Sequence, residues 1–140
     1  MRVFLCAIGD FYVAIPMEFI SSLTLLTGKE RQYTNKHNLK NGNMYVSLFW
    51  LFNILPGNIR HGIVLKNDTA EKKIILLSTE IECETEIPNE EIYPIPKTLN
   101  GTRFSALFSG IQFTADKKNG PILLLHPEQL IQYMQKELIL

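Results

Sequence analysis

The sequence has few of the residues that carry catalytic or metal chemistry. It contains two cysteines, one tryptophan and three histidines in 140 residues. The histidines, His37, His61 and His126, lie far apart and pair with no cysteine or carboxylate at metal-ligand spacing. No glycine-rich phosphate loop, nucleophile elbow or His-Glu-x-x-His pattern is present. These absences argue against a metal, nucleotide or hydrolytic site, and we expect no cofactor.

Charge of one sign and long hydrophobic runs are also missing. Fourteen basic residues balance fourteen acidic ones, so the chain as a whole has no net field to attract nucleic acid or an anionic membrane. No segment approaches the roughly 20 apolar residues of a membrane helix, and the apolar residues 3–8 are too few for a signal peptide. Cys6 and Cys83 lie in apolar runs, which is typical of buried free thiols in a reducing compartment. We therefore expect a cytoplasmic protein that neither binds nucleic acid nor inserts into a membrane.

The most apolar stretch of the chain is residues 44–55, Met-Tyr-Val-Ser-Leu-Phe-Trp-Leu-Phe-Asn-Ile-Leu. Its first half, residues 44–49, is rich in β-branched and aromatic residues and is predicted to be a buried strand. Its second half loses that bias and is closed by Pro56-Gly57, which predicts a short helix or turn. We predict that at least one of Phe49 and Trp50 is nearly fully buried.

Short apolar stretches separated by turn signals recur along the rest of the chain. Strands are predicted at residues 3–8, 11–15, 19–26, 61–66, 73–78, 80–87, 104–113 and 121–125, and a helix at 128–138. In the third strand Phe19, Leu23 and Leu25 are the expected inward residues, and the polar residues 27–43 are expected to form an exposed loop. Eight to ten short strands with little helix predict an all-β barrel or sandwich.

Three blocks of residues occur in an order known from one family. The first comprises Val3-Phe4-Leu5, Gly9-Asp10 and Ala14-Ile15-Pro16-Met17. The second comprises Leu76-Leu77, Ile87-Pro88 and Pro94-Ile95-Pro96. The third comprises Leu107-Phe108-Ser109-Gly110-Ile111 and Glu128-Gln129-Leu130. With these blocks the chain resembles, over nearly its whole length, the CheW-like domain of bacterial chemotaxis scaffolds.

The resemblance implies a single CheW-like domain over residues 1–140, built as two intertwined five-stranded SH3-like β-barrels with a short C-terminal helix. It implies a non-enzymatic adaptor that couples chemoreceptors to the histidine kinase CheA through protein–protein contacts. Ile20 and Ser22 match the strand that faces the regulatory domain of the kinase. Residues 38–42 resemble the Asn-Leu-Arg-Gly segment that faces the cytoplasmic tips of the receptors, which nominates Leu39, Lys40 and Gly42.

The chain departs from the family pattern at several of these positions. Lys40 stands in place of an arginine and lacks its planar fork of donors, and Thr79 and His126 replace two usual aspartates. Ile20 is equally compatible with ordinary core packing, and Lys40 with a solvated loop. Three other functions stay open: a CheW-like module with a partner outside chemotaxis, a small-ligand-binding β-barrel with a cavity near Trp50, and a thiol-dependent enzyme that uses Cys6 or Cys83.

Overall fold

The computed structural model describes residues 1–26, 38–40, 43–52, 54, 59–66, 73–79, 81–95, 103–113 and 120–139. Strands dominate these ranges. They are β1 (Arg2–Ile8), β2 (Phe11–Pro16), β3 (Ile20–Leu25), β4 (Asn38–Lys40), β5 (Asn43–Ser47), β6 (His61–Leu65), β7 (Ile74–Ser78), β8 (Ile81–Glu86), β9 (Phe108–Phe113) and β10 (Pro121–Leu125). The helices are α1 (Leu48–Leu51), α2 (Arg103–Leu107) and α3 (Pro127–Ile139), with 3-10 turns at Met17–Phe19 and Asn89–Glu91.

The strands form two five-stranded mixed sheets. Their orders are β8-β1-β2-β10-β9 and β3-β6-β7-β5-β4. The first sheet contains the parallel pair β2 and β10, and the second contains the parallel pair β5 and β7. A mostly-β fold with two five-stranded sheets and a C-terminal helix is therefore confirmed. Closure of each sheet into a barrel and the intertwining of two barrels stay predictions.

Contacts divide the chain into two compact units, and both are assembled from separate pieces of sequence. Unit 1 consists of Met1–Leu5, Asp10–Glu18 and Cys83–Leu140. Unit 2 consists of Cys6–Gly9 and Phe19–Glu82. The organisation of residues 1–140 as one domain remains a prediction.

The core of unit 1 is built from residues that are distant in sequence. Its buried cluster comprises Val3, Ala14, Ile87, Ile122 and Leu124. The turn Gly9-Asp10 that connects β1 to β2 has Gly9 at φ 60°, a conformation that glycine adopts without steric cost. A Gly-Asp dipeptide between two apolar runs predicts a hairpin, and this prediction is confirmed.

Helix α3 closes unit 1 at the C-terminal end of the described chain. Leu130 and Met134, four residues apart, are fully buried, as the apolar spacing predicts. The helix begins after His126, whose Nδ1 accepts a hydrogen bond from the backbone N–H of Gln129 at 3.3 Å. That is the contact a capping aspartate would make, so the imidazole of His126 serves as the helix cap.

The core of unit 2 packs between the long apolar strands. Its buried cluster comprises Leu26, Ile59, Val64, Ile75 and Leu77, and the half-buried Tyr45 packs against it. Within the apolar stretch 44–55, Phe49 is only 5% exposed, which confirms that at least one of the two large aromatic residues is nearly fully buried. Trp50 is half-buried.

Three segments differ from the predicted secondary structure. Residues 48 and 49 belong to helix α1 and not to the preceding strand, because one helical turn buries Leu48, Phe49 and Leu51 together. Residues 104–107 belong to α2, a segment without β-branched residues that includes alanine and leucine, which favour helix. Asn38–Lys40, expected in a loop, forms a strand because it pairs with β5.

Candidate partner-binding edges

The residues nominated for partner binding lie on two strands of one sheet. Ile20 and Ser22 are in β3, and Leu39 and Lys40 are in β4. Gly42 lies outside the described residues. Both strands belong to unit 2, and each is an end strand of the order β3-β6-β7-β5-β4. The nominated residues therefore occupy the two opposite edges of one five-stranded sheet.

Strand β3 is exposed along most of its length. Ser22 is exposed and Ile20 is half-buried. The register against β6 shifts between these two residues, with Ile20 opposite Leu65 and Ser22 opposite Val64. Such a bulge is common at sheet edges, where it twists the strand away from unwanted pairing. The half-buried position of Ile20 is compatible both with ordinary core packing and with a contact to the kinase.

The prediction that Leu23 and Leu25 point inward is wrong. Leu23 is 45% exposed and Leu25 is 72% exposed. The buried residue at this end of the strand is the next one, Leu26. Alternation of leucine with threonine correctly indicated a strand, but it could not indicate that the leucine-bearing face is left open in unit 2. Exposed leucines on an edge strand are an apolar contact surface that the family resemblance had not nominated.

Basic side chains flank both ends of this edge. The backbone N–H of Lys66 donates to the carbonyl of Phe19 at 2.8 Å, just before β3 begins. At the other end, the N–H of Leu26 donates to the carbonyl of Arg60 at 2.8 Å. Lys66 and Arg60 are both exposed, and β3 itself contains no acidic residue. A partner that packs on this edge meets an apolar strip with a positive charge near each end.

Strand β4 is short and is fixed by a backbone ladder. Its register places Asn38 opposite Tyr45, Leu39 opposite Met44 and Lys40 opposite Asn43. Lys73, the residue before β7, also bonds to β5, because the N–H of Met44 donates to the carbonyl of Lys73 at 2.8 Å. The backbone of Lys40 is therefore held by a strand pair.

The two nominated segments lie at opposite ends of the strand order β3-β6-β7-β5-β4, with β6, β7 and β5 between them. A partner that contacts β3 and a partner that contacts β4 would therefore touch different strands of the sheet.

The structure gives no support to a reactive thiol at Cys6. The side chain is fully buried, and burial raises the pKa of the Cys6 thiol from its ordinary value of 9.0 to about 12, although a hydrogen bond with Ser78 acts in the opposite direction. A thiol with such a pKa is protonated at neutral pH and is a poor nucleophile. The side chain of Cys83 lies outside the described residues.

The ligand-binding alternative places its cavity near Trp50, in unit 2. A cavity of about 470 Å³ is lined by Met1, Arg2, Pro16, Met17 and Glu18, all of unit 1, whereas Trp50 belongs to unit 2. Near Trp50 in sequence, the buried hydroxyl of Ser47 has no hydrogen-bond partner among the described residues. Within the described ranges, no three His, Cys, Asp or Glu side chains come together as metal ligands. No described helix has the length and apolar character needed to cross a membrane.

The fold is similar to that of the scaffolding protein TtCheW from Thermoanaerobacter tengcongensis, whose crystal structure matches with a TM-score of 0.61. The two sequences are 14% identical, and the match covers 89% of this chain and 88% of that one. No protein-family model matches the sequence, and no curated protein is similar to it in sequence. At this level of identity the likeness establishes a shared fold.

Proposed function

We propose that this chain is a non-enzymatic, cytoplasmic CheW-like adaptor that couples chemoreceptors to a CheA-type histidine kinase through protein–protein contacts. The observation that carries the proposal is the similarity of its fold to a CheW scaffolding protein over nearly the full length of both chains. The two end strands of the second sheet, β3 and β4, carry the residues nominated for the two partners.

In this proposal the kinase binds the β3 edge. Ser22 is exposed there, and the neighbouring leucines Leu23 and Leu25 offer apolar area that a partner can bury. Burying such area contributes roughly 25 cal/mol per Å² before the cost of association. A long charged side chain at position 22 would be desolvated by the same contact, so this position is sensitive to substitution if the kinase covers it.

The receptor binds the opposite edge, where Lys40 occupies the position of the family's arginine. An ammonium group is a point charge without a bidentate fork, so its contact with a receptor carboxylate is electrostatic and sensitive to salt. Leu39 and Gly42 are nominated with Lys40 because they belong to the same segment of the sequence.

The kinase contact is tested by titrating a labelled CheA-type regulatory domain from the same organism with the wild-type chain and with Ser22→Arg. We expect Ser22→Arg to weaken binding about tenfold or more while the thermal melt is unchanged. The matched control is Ser109→Arg, because Ser109 is an exposed serine on an end strand of the other sheet. Equal affinities for the wild type and Ser22→Arg would remove β3 as the kinase surface.

The receptor contact is tested by titrating a soluble receptor tip with Lys40→Glu at low and high ionic strength. We expect a marked loss of affinity at low salt that shrinks as salt is raised, with little change in stability. Lys66→Glu makes the same charge change at the other edge and should leave receptor binding intact. If a correctly folded wild-type chain binds neither the kinase domain nor the receptor tip, the coupling proposal is wrong.

A further inference from the structure

Unit 1 carries an exposed pair of aromatic rings that the proposed contacts do not use. Tyr93 is 56% exposed and Phe113 is 66% exposed. Their ring centroids are 6.1 Å apart with an interplanar angle of 53°, a tilted arrangement that aromatic pairs favour. We call these two residues the aromatic patch. Large aromatic rings left this exposed are uncommon away from binding surfaces.

The backbone holds the two rings in place. The N–H of Tyr93 donates to the carbonyl of Ile111 at 2.8 Å, and the N–H of Ile111 donates to the carbonyl of Tyr93 at the same distance. Tyr93 and Ile111 thus form an antiparallel bridge at the outer side of β9. Because Phe113 follows Ile111 by two residues, the two aromatic side chains project from the same face as a diagonal cross-strand pair.

Among the described residues, two carboxylates lie close to the aromatic patch. Glu90 and Glu91 are exposed on the 3-10 turn that leads into Tyr93. The carboxylate of Glu91 is positioned by Gln112, the neighbour of Phe113, whose Nε2 donates to Oε2 at 2.7 Å. Among the side chains described in unit 1, Arg2 is the one lysine or arginine, and it pairs with Glu84. The one described cation of unit 1 is therefore paired with Glu84 and not with the carboxylates beside the aromatic patch.

We propose that the aromatic patch binds a basic segment of a protein partner through arginine side chains. A guanidinium plane stacks on the electron-rich face of an aromatic ring and also donates hydrogen bonds to carboxylates. An anionic segment would meet both the negative ring faces and the carboxylates of Glu90 and Glu91. This site lies in unit 1, whereas Ile20, Ser22 and Lys40 lie in unit 2, so the inference stands apart from the proposed kinase and receptor contacts.

The experiment uses the full chain and fluorescent 12-residue peptides in a Gly/Ser background that carry arginine, lysine or glutamate at every third position. Anisotropy titrations give the affinities, and amide chemical shifts locate the site. We expect the arginine peptide to bind most tightly and to shift residues 91–93 and 111–113. Tyr93→Leu keeps the apolar bulk but removes the ring, and it should weaken the arginine peptide about two- to five-fold.

Two further variants separate the ring contribution from the charge contribution. Phe113→Ala should weaken binding to a similar extent, and Glu90→Gln combined with Glu91→Gln should reduce its salt dependence. Ile54→Ala, a truncation of an exposed apolar residue in unit 2, should have no effect. Equal affinity for the arginine and glutamate peptides, or shifts confined to other residues, would overturn the proposal. So would a concentration-dependent increase in mass that Phe113→Ala abolishes, because the patch would then be covered by a second copy of the chain.

Discussion

Gly110→Ala is expected to destabilise unit 1 by detaching the segment that carries Tyr93. A Cβ atom at position 110 would lie inside van der Waals contact of Ile92 Cγ2 and 3.0 Å from the carbonyl oxygen of Tyr93. The side chain of Ile92 can rotate, but that carbonyl is held by the N–H of Ile111 at 2.8 Å. Relief of the clash therefore requires the segment to move away from β9.

The size of the effect follows from two contributions. Overpacking a buried site costs about 1–3 kcal/mol. Weakening the two reciprocal hydrogen bonds between Tyr93 and Ile111 costs about 0.5–1.5 kcal/mol each. We expect the free energy of unfolding to fall by about 2–6 kcal/mol, which urea denaturation measures directly.

The assay also reports where the change occurs. In Gly110→Ala the amide protons of Tyr93 and Ile111 should lose protection from hydrogen exchange. Gly9→Ala is the matched control, because a Cβ there meets nothing within 4 Å and the cost comes from its positive φ alone. Ile92→Ala should recover part of the loss in the Gly110→Ala background, since it removes one clashing group. A Gly110→Ala variant with wild-type stability and protected amides would refute the argument.

Three further perturbations test the core, the buried thiol and the helix cap. Phe49→Ala should lower the free energy of unfolding by about 3–5 kcal/mol and Trp50→Ala by less, because Trp50 is half-buried. A larger loss for Trp50→Ala than for Phe49→Ala in urea denaturation would contradict the packing described. Burial raises the pKa of the Cys6 thiol from 9.0 to about 12, so the stabilisation that the protonated thiol provides is complete below pH 9 and is lost as the pH rises toward 12, at up to about 1.4 kcal/mol per pH unit. Cys6→Ala should remove this slope from urea midpoints measured between pH 9 and 11. An unchanged slope would show that the thiol is not the group responsible. His126→Asp should raise the free energy of unfolding by about 0.5–1 kcal/mol, because its carboxylate would cap the N–H of Gln129, whereas His126→Ala should lower it. Coinciding thermal melts of the wild type and both variants would mean that the cap contributes nothing.

The sequence was sufficient to locate most strands because local patterns determine them. Turn dipeptides such as Gly9-Asp10 and the apolar runs that became β6, β7 and β10 carry their own signals, and these do not depend on distant residues. The errors occurred where tertiary pairing decides. Asn38–Lys40 has no apolar alternation and becomes a strand only because β5 lies beside it.

The candidate site could be predicted only in part, for a related reason. A pattern in one strand fixes which residues share a face, but it does not fix whether another element covers that face. Leu23 and Leu25 share a face as predicted, yet both are exposed, since the strand pattern alone does not show whether another element covers that face. Tyr93 and Phe113 are 20 positions apart and meet only through the bridge to Ile111, which no local pattern indicates.

The balance of charge in the whole chain conceals opposite charges in its two units. Acidic residues outnumber basic ones by nine to six in unit 1, whereas basic residues outnumber acidic ones by eight to five in unit 2. A partner responds to the local field, because screening at physiological salt limits the reach of surface charges to about 8 Å. The absence of net charge therefore excludes a global attraction, but it does not prevent charge-based recognition by each unit. Unit 2 carries Arg60 and Lys66 beside its apolar edge, whereas Glu90 and Glu91 lie beside the aromatic patch of unit 1. If both proposed surfaces bind partners, these local charges give the two surfaces opposite charge preferences within one neutral chain.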